Sequence, residues 1–310
     1  MTIIIIFERE RYKGMKNINN SLNKLIKLWF SKRKLCYYDN SYDVIKNQYD
    51  WLLKMINYSK NSEWGKEYGY DGIKNYNDYK NNVPLQTYDT LKPFIIRMMN
   101  GERNILWPSV IKWFAKSSGT TEDKSKFIPV SDESLKDCHI RGGLDMFSIY
   151  LKNHPSSNIF KGKGIGIVGN IHHSDTNRDI MYGDLSALLM KNLPLWVKMF
   201  NPVPEEVALS DNWDLKIDNI IRYTKNSNIT NISGVPSWML ILIERMVDKT
   251  NVNSLSDIWP NIELIIHGGV NFEPYKPRFS KIIGKQVNYI NAYNASEGYF
   301  AFQDTDQNDD

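Results

Sequence analysis

Residues 229–247 read ITNISGVPSWMLILIERMV, and this stretch decides the fold. Ile229 to Ser233 reads as a strand and Gly234-Val235-Pro236 as a turn. Pro236 takes the first position of an apolar helix that runs to Val247. A proline there gives up only an N–H that has no partner inside the helix, and its fixed φ already suits the helix. The same step recurs on either side. Downstream, Ile262 to Ile266 is a strand entering His267-Gly268-Gly269, and Val287 to Tyr293 is a strand entering Asn294-Ala295-Ser296-Glu297-Gly298. Upstream, Trp213 to Lys225 is helical, and Gly164 to Val168 is a short buried-strand candidate. Ser131 is a good N-cap for a helix reaching Tyr150, and Ile111 to Ala115 alternates like a strand. Helices are also predicted over Asn17 to Lys34, Asp43 to Tyr58 and Thr87 to Met99, the last with Thr87 as N-cap. Glu63 to Pro84 reads as turns, being full of Gly, Asn, Asp and Tyr. Strands alternating with helices predict α/β layers. The apolar run Tyr299 to Phe302 and the tail to Asp310 do not read as a terminal helix or strand.

Composition narrows the function classes. Apolar residues make up 42% of the chain, which is the balance of a globular protein with a buried core. The net charge is +4, spread over scattered lysines with no basic stripe, so nucleic-acid binding is not expected as a main role. The segment Thr2 to Phe7 is too short to span a membrane. It is followed by Glu8-Arg9-Glu10-Arg11 and no small-residue cleavage site, so it is a poor signal peptide, and Met15 is an alternative start. No membrane partner is expected. Two distant cysteines, Cys36 and Cys138, make neither a disulfide framework nor a zinc site, and they fit a reducing cytoplasm.

Three constellations can carry chemistry. The first is Lys116-Ser117-Ser118-Gly119-Thr120-Thr121, continuing Glu122-Asp123-Lys124-Ser125-Lys126. Five consecutive small residues present hydroxyls and unhindered N–H groups on one loop, and Gly119 lets the backbone approach an anion. Lys124 or Lys126 can add positive charge. This suits the β- and γ-phosphates of ATP, and a solvated Ser/Thr turn is the competing reading. No Walker spacing is present. The second is Tyr293-Asn294-Ala295-Ser296-Glu297-Gly298, where an aromatic ring can stack on a base and a carboxylate can hold Mg2+ against phosphates. A strand end with a solvated glutamate is its alternative. The third is His267-Gly268-Gly269, whose glycines leave a flat surface for a planar base, or make an ordinary turn. All three follow predicted strands, where open α/β sheets place ligands.

This set resembles the auxin-responsive Gretchen Hagen family of acyl-acid amido synthetases, within the superfamily of adenylate-forming enzymes. The resemblance runs from about Trp51 onward. It is carried by Trp113 to Thr121 with Phe127-Ile128-Pro129-Val130, by Gly234-Val235-Pro236-Ser237-Trp238, by His267-Gly268-Gly269-Val270, and by Tyr293 to Gly298. It is similar to the bacterial branch. It implies an α/β fold of layered mixed sheets with flanking helices, as in the large N-terminal domain of adenylate-forming enzymes. It implies ATP and Mg2+ as cofactors, and a small-molecule carboxylic acid and an amino acid as the partners joined through an acyl-adenylate. Ser117, Ser118, Gly119, Thr120, Thr121 and Lys126 are then expected to line the phosphates. Gly268 and Gly269 are expected against the adenine, Tyr293 near the base, Ser296 near the nucleotide, and Glu297 on Mg2+. Thr120, Lys126 and Glu297 are the catalytic candidates.

Three departures stand out. Glu122-Asp123 replaces the glycine that many superfamily members carry after the two threonines. Ala295 stands where plant relatives carry a hydroxyl residue. The chain reaches Asp310 without a Tyr-Arg-x-Gly-Asp motif. The expectation is therefore an N-terminal adenylation domain over 1–310, incomplete at its C-terminal end and without the small mobile C-terminal domain. An acyl-CoA-ligase-like enzyme with a thiol acceptor, and a non-catalytic nucleotide-binding remnant, are the competing functions.

Other matches carry less. Gly164-Ile165-Gly166-Ile167-Val168-Gly169 has the letters of a dinucleotide fingerprint, but its glycines lie inside the predicted strand and no amphipathic helix follows. His172, His173 and Asp175 read as a polar loop rather than a metal site. Cys138 and His139 are neighbours on a helix and do not form a nucleophile–base pair. Trp196, Trp213 and Trp238 read either as core or as the wall of an acyl pocket.

Overall fold

The computed structural model describes residues 21, 23–33, 35, 43–117 and 125–305. The segment 2–7, Met15, Cys36, residues 118–124 of the small-residue loop and the tail 306–310 lie outside the described residues. So do parts of the helix expected over 17–34.

Along the chain the helices are α1 (23–31), α2 (Val44–Ser59), α3 (Glu63–Glu67), α4 (Tyr76–Asn82), α5 (Tyr88–Met99), α6 (Arg141–Asn153), α7 (Leu185–Asn192), α8 (Leu195–Lys198), α9 (Glu205–Ala208), α10 (Trp213–Thr224), α11 (Pro236–Thr250), α12 (Leu255–Ile258) and α13 (Lys276–Ile283). The strands are β1 (Trp113–Ser117), β2 (Lys126–Val130), β3 (Lys163–Gly166), β4 (Ile171–His173), β5 (Met181–Gly183), β6 (Ile229–Gly234), β7 (Leu264–His267), β8 (Asn288–Ala295) and β9 (Gly298–Phe302). They belong to two compact units. Unit one takes in the described residues of Met1–Arg33, Asp137–Asn170 and Leu189–Asp310, and unit two those of Lys34–Lys136 and Ile171–Leu188.

Unit one is built on a five-stranded sheet in the order β3-β6-β7-β8-β9. The first four strands are parallel, and β9 runs antiparallel to β8. Parallel neighbours need a crossover, which sandwiches the strands between helices and makes them apolar on both faces. The central strand β7 shows this, since all four of its residues are buried. With a side-chain period of two, Ile265 enters the layer of α10, α11 and α13, among Ile217, Ile243 and Phe279. Leu264 and Ile266 enter the opposite layer, with Phe30 of α1 and Met146 and Tyr150 of α6. Helix α11 forms as expected, with Pro236 in its first turn, and ends on Asn251 in the left-handed conformation.

Unit two carries a four-stranded sheet in the order β2-β1-β5-β4. β1 is antiparallel to β2 and parallel to β5. Ile95 and Met98 of α5 pack with Ile111, Phe114 and Ile180. Helix α2 starts on Asp43, whose side chain accepts from the Lys46 N–H, and α5 starts on Thr87 in a reciprocal capping box with Thr90.

The two mixed sheets with flanking helices match the layered α/β expectation, and the differences are local. Tyr299 to Phe302, expected to close nothing, lies in strand β9 because β8 offers it a partner. Glu63 to Pro84, expected as turns, contains α3 and α4. The polar residues that suggested turns include the cap of α4, Asn75, while α3 is capped by Ser62 just before the stretch. β1 and β7 sit about two residues downstream of expectation, since strand ends are set by pairing partners and not by the apolar run. The helix expected from Ser131 to Tyr150 passes through a π-helical segment, Ser134–Ile140, before α6. Gly164 and Gly166 lie on β3 beside β6, as their place in the expected strand required.

Candidate functional site

In unit one, β6, β7 and β8 end along one edge of the sheet. Gly234 pairs with His267, and His267 with Asn291. The carboxyl ends of parallel strands, where backbone leaves the sheet, are the usual ligand edge of such folds. Beyond β7 the chain passes through Gly268 and Gly269. A Cβ on Gly268 would stand 2.2 Å from the Ala292 carbonyl oxygen, so only glycine lets this backbone lie against β8. Gly269 has φ +83°, which glycine adopts without strain. The pair therefore forms a strip of bare backbone beside β8.

His267 is the last residue of β7, directly before this strip. Its ring stacks on Phe272 with centroids 4.0 Å apart and planes 16° off parallel. The side chain is buried, and Nδ1 has no hydrogen-bond partner among the described residues. Burial pushes the imidazole pKa down to about 4. The folded state therefore resists protonation that the unfolded chain accepts near its ordinary pKa of 6.5. Stability from this group is fully present above that value and is lost as pH falls from there towards about 4. The expected loss between pH 7 and pH 5 is about 2 kcal/mol, and His267→Phe should flatten that window in denaturant titrations run at both pH values.

The next strand end is a hairpin. Ala295 pairs with Gly298, which leaves Ser296-Glu297 as the two-residue turn between β8 and β9. Glu297 is exposed, and its carboxylate makes no hydrogen bond or ion pair among the described residues. Tyr293 stands exposed on β8 and meets Phe300 of β9, with ring centroids 5.1 Å apart. Gly268, Gly269, Tyr293, Ser296 and Glu297 thus belong to adjoining strand ends of one unit.

In unit two, Ser117 pairs with Lys126 and closes the base of the β1–β2 hairpin. Ser118, Gly119, Thr120 and Thr121 lie in the connection, outside the described residues. Tyr88, the first residue of α5, holds the base of this hairpin: its hydroxyl accepts from the Phe127 N–H at 2.8 Å. The Lys126 Nζ lies over the same ring, 5.6 Å from its centroid.

Sequence reasoning missed Phe300, Tyr88 and the partners of the β8–β9 hairpin. Phe300 was visible only as part of an apolar run, and Tyr88 only as the residue after a cap. Trp213 and Trp238 pack against the core of unit one and against each other, with centroids 5.3 Å apart. His172 and His173 lie on β4, and no group of metal-ligating side chains occurs among the described residues. No helix among them is long and apolar enough to cross a membrane.

An α/β sheet whose parallel strands end in bare glycine backbone and a carboxylate-bearing turn offers a candidate ligand-binding edge. The chain belongs to the GH3 family: residues 37–288 match the model of the GH3 family N-terminal domain. It is 33% identical over 99 residues to jasmonoyl–L-amino acid synthetase JAR6 of Nicotiana attenuata, covering 32% of this chain and 17% of that protein. It is 34% identical over 85 residues to indole-3-acetic acid-amido synthetase GH3.3 of Arabidopsis thaliana, covering 27% of this chain and 14% of that one. Among solved structures it is similar to AtGH3.15 acyl acid amido synthetase in complex with 2,4-DB, with a TM-score of 0.67 and 16% identity. That match covers 92% of this chain and 56% of the other, so the chain spans about half the length of that protein. At this identity the likeness shows the fold.

Proposed function

We propose that this chain uses ATP to activate a small carboxylic acid as an acyl-adenylate and passes the acyl group to an amino acid. The observation that carries the reading is the edge of β6, β7 and β8 in a member of the GH3 family: a bare glycine strip on one strand end and an unpartnered carboxylate on the next. The names of the similar proteins, jasmonoyl-amino acid and indole-3-acetic acid-amido synthetases, agree with it. The adenylating step belongs to the N-terminal adenylation domain over 1–310, of which residues 37–288 match the family model.

The chemistry has two steps. A carboxylate oxygen attacks the α-phosphorus of ATP, and the bond to the bridging oxygen breaks as pyrophosphate leaves. The amine then attacks the acyl carbon, loses its proton, and the bond to the AMP oxygen breaks. Both steps need the reactants held in line and the developing phosphate charge neutralised. In unit one, the Gly268-Gly269 strip takes the adenine, Tyr293 flanks the base with Phe300 beside it, and Ser296 lies near the nucleotide. The Glu297 carboxylate fits Mg2+, a hard cation that shares oxygen ligands with substrate phosphates. When bound there, Mg2+ supplies positive charge to the phosphates. Ser117, Ser118, Gly119, Thr120, Thr121 and Lys126 are assigned to the phosphates on the chemistry of their sequence motif, hydroxyls and a glycine followed by a cation. The chain acts in the reducing cytoplasm, in keeping with its two cysteines.

The test is pyrophosphate exchange into ATP across a panel of carboxylic acids that includes jasmonic and indole-3-acetic acids. Exchange with at least one acid, lost in Thr120→Ala, is the expected result. Absence of ATP binding by calorimetry would sink the reading.

A further inference from the structure

The geometry points to His139 as a positioning residue for the Ser296-Glu297 turn: it clamps the β8–β9 hairpin to the π-helical segment before α6 and so sets where the Glu297 carboxylate stands. The inference rests on the proposed reading of that turn as the nucleotide and Mg2+ site. It starts from a buried polar group that the chemistry above leaves unused. His139 is 2% exposed, and its Nδ1 lies 2.7 Å from the Asn294 side-chain oxygen. An amide oxygen only accepts, so Nδ1 carries the proton and Nε2 is bare. Nε2 is also buried and has no partner among the described residues. Burying an unpaired nitrogen is unfavourable. An apolar side chain of similar size would fill the space without that cost, so packing does not explain the histidine. Burial pushes its pKa below the ordinary value, with the Asn294 bond offsetting part of the shift.

The position of the bond gives it its use. Asn294 sits where the β8–β9 register shifts, at the point where the backbone ladder is interrupted and the strands need another restraint. It lies on one arm of the turn. On the other arm, the Tyr299 N–H donates to the Cys138 Sγ at 3.2 Å. Two successive side chains of the π segment, Cys138 and His139, therefore hold both arms. The Tyr299 ring lies flat on α6 at Gly142, where a Cβ would come within 2.5 Å of it, and the Tyr299 hydroxyl donates to the Met146 sulfur at 3.4 Å. A two-stranded hairpin is marginally stable alone. The Glu297 carboxylate at its tip makes no hydrogen bond or ion pair among the described residues, so its place is inherited from these anchors. π-Helical turns interrupt helices at a cost and recur at functional sites, which agrees with this use.

The test compares His139→Leu, His139→Gln and Asn294→Ala with Tyr150→Phe. Tyr150 is the control because its hydroxyl makes equally buried bonds to Glu263 and Asn288, far along the strands from the turn. Two readouts are taken: amide hydrogen exchange of the segment 293–300, and the KM for MgATP against kcat in pyrophosphate exchange. His139→Leu and Asn294→Ala are expected to speed amide exchange in that segment about tenfold and to raise the KM by a similar factor, with kcat changing less. His139→Gln, which keeps an N–H donor, should recover most of both. Tyr150→Phe should lower the unfolding midpoint while leaving both readouts near wild type. Equal shifts in His139→Leu and Tyr150→Phe, or no shift at 293–300 in either His139→Leu or Asn294→Ala, would overturn the clamp. Faster amide exchange in a wild-type background that shows no pyrophosphate exchange with any acid would uphold the clamp and defeat the functional reading.

Discussion

Replacing Glu297 with alanine is expected to lower the proposed pyrophosphate exchange by about 100-fold or more, the scale on which removing one group that stabilises transition-state charge acts. The same change is expected to move folding stability by less than about 0.5 kcal/mol, as for other exposed positions without partners. Both expectations follow from where the side chain stands. Glu297 lies exposed in the Ser296-Glu297 turn and makes no bond among the described residues, so alanine leaves no cavity and strands no polar group. Its carboxylate is the hard-oxygen ligand assigned to Mg2+, and alanine removes it outright. Glu297→Gln should be as inactive as alanine, because the shape is kept and the charge is not. Glu297→Asp should retain part of the activity and need more Mg2+ for half-maximal exchange, since the shorter stem sets the carboxylate back. An alanine variant as active as the wild type would remove Glu297 from the site.

The largest structural effect is expected at Trp259. Alanine there should lower the unfolding free energy by about 3–5 kcal/mol. Trp259 is wholly buried in the core of unit one, the largest of its fully buried side chains. Its indole N–H donates to the Thr224 carbonyl at the end of α10, 3.0 Å away. Truncation therefore opens a cavity the size of an indole and removes one of the two bonds to that carbonyl, which keeps the Ser227 N–H at 2.9 Å. Domains are held by only about 5–15 kcal/mol in all, so the variant should be close to unfolding at physiological temperature. Trp259→Phe keeps most of the packing and loses the bond, and should fall between. Urea titrations followed by far-ultraviolet circular dichroism measure this without relying on the indole. A loss below about 1 kcal/mol would show that the site collapses around the missing ring.

Much of the architecture was legible residue by residue. Pro236, Thr87 and Asp43 mark helix starts through local chemistry: a dispensable N–H, or a side-chain oxygen that meets a free backbone donor two or three residues on. The alternating Leu264, Ile265 and Ile266 fit a strand buried on both faces, because its period of two sends neighbours into opposite layers. The motifs His267-Gly268-Gly269 and Tyr293 to Gly298 could be read as strand ends for the same reason. Strand β9 could not. Its residues were apolar and short, and only the free edge of β8 makes them a strand. The short helices in 63–84 were hidden because residues that cap a helix are the same ones that make turns.

What the sequence by itself determined is therefore the local grammar: where helices begin, which faces are apolar, and which motifs follow strands in family order. Only the tertiary structure decided that Ser296-Glu297 is a hairpin turn, that Gly268 presses against Ala292, and that His139 bonds Asn294. The physical reason is range. Caps and periodicity act over a few residues and are written in neighbours. The His139–Asn294 bond joins positions 155 apart, and a contact of that span exists only once packing has brought its two ends together.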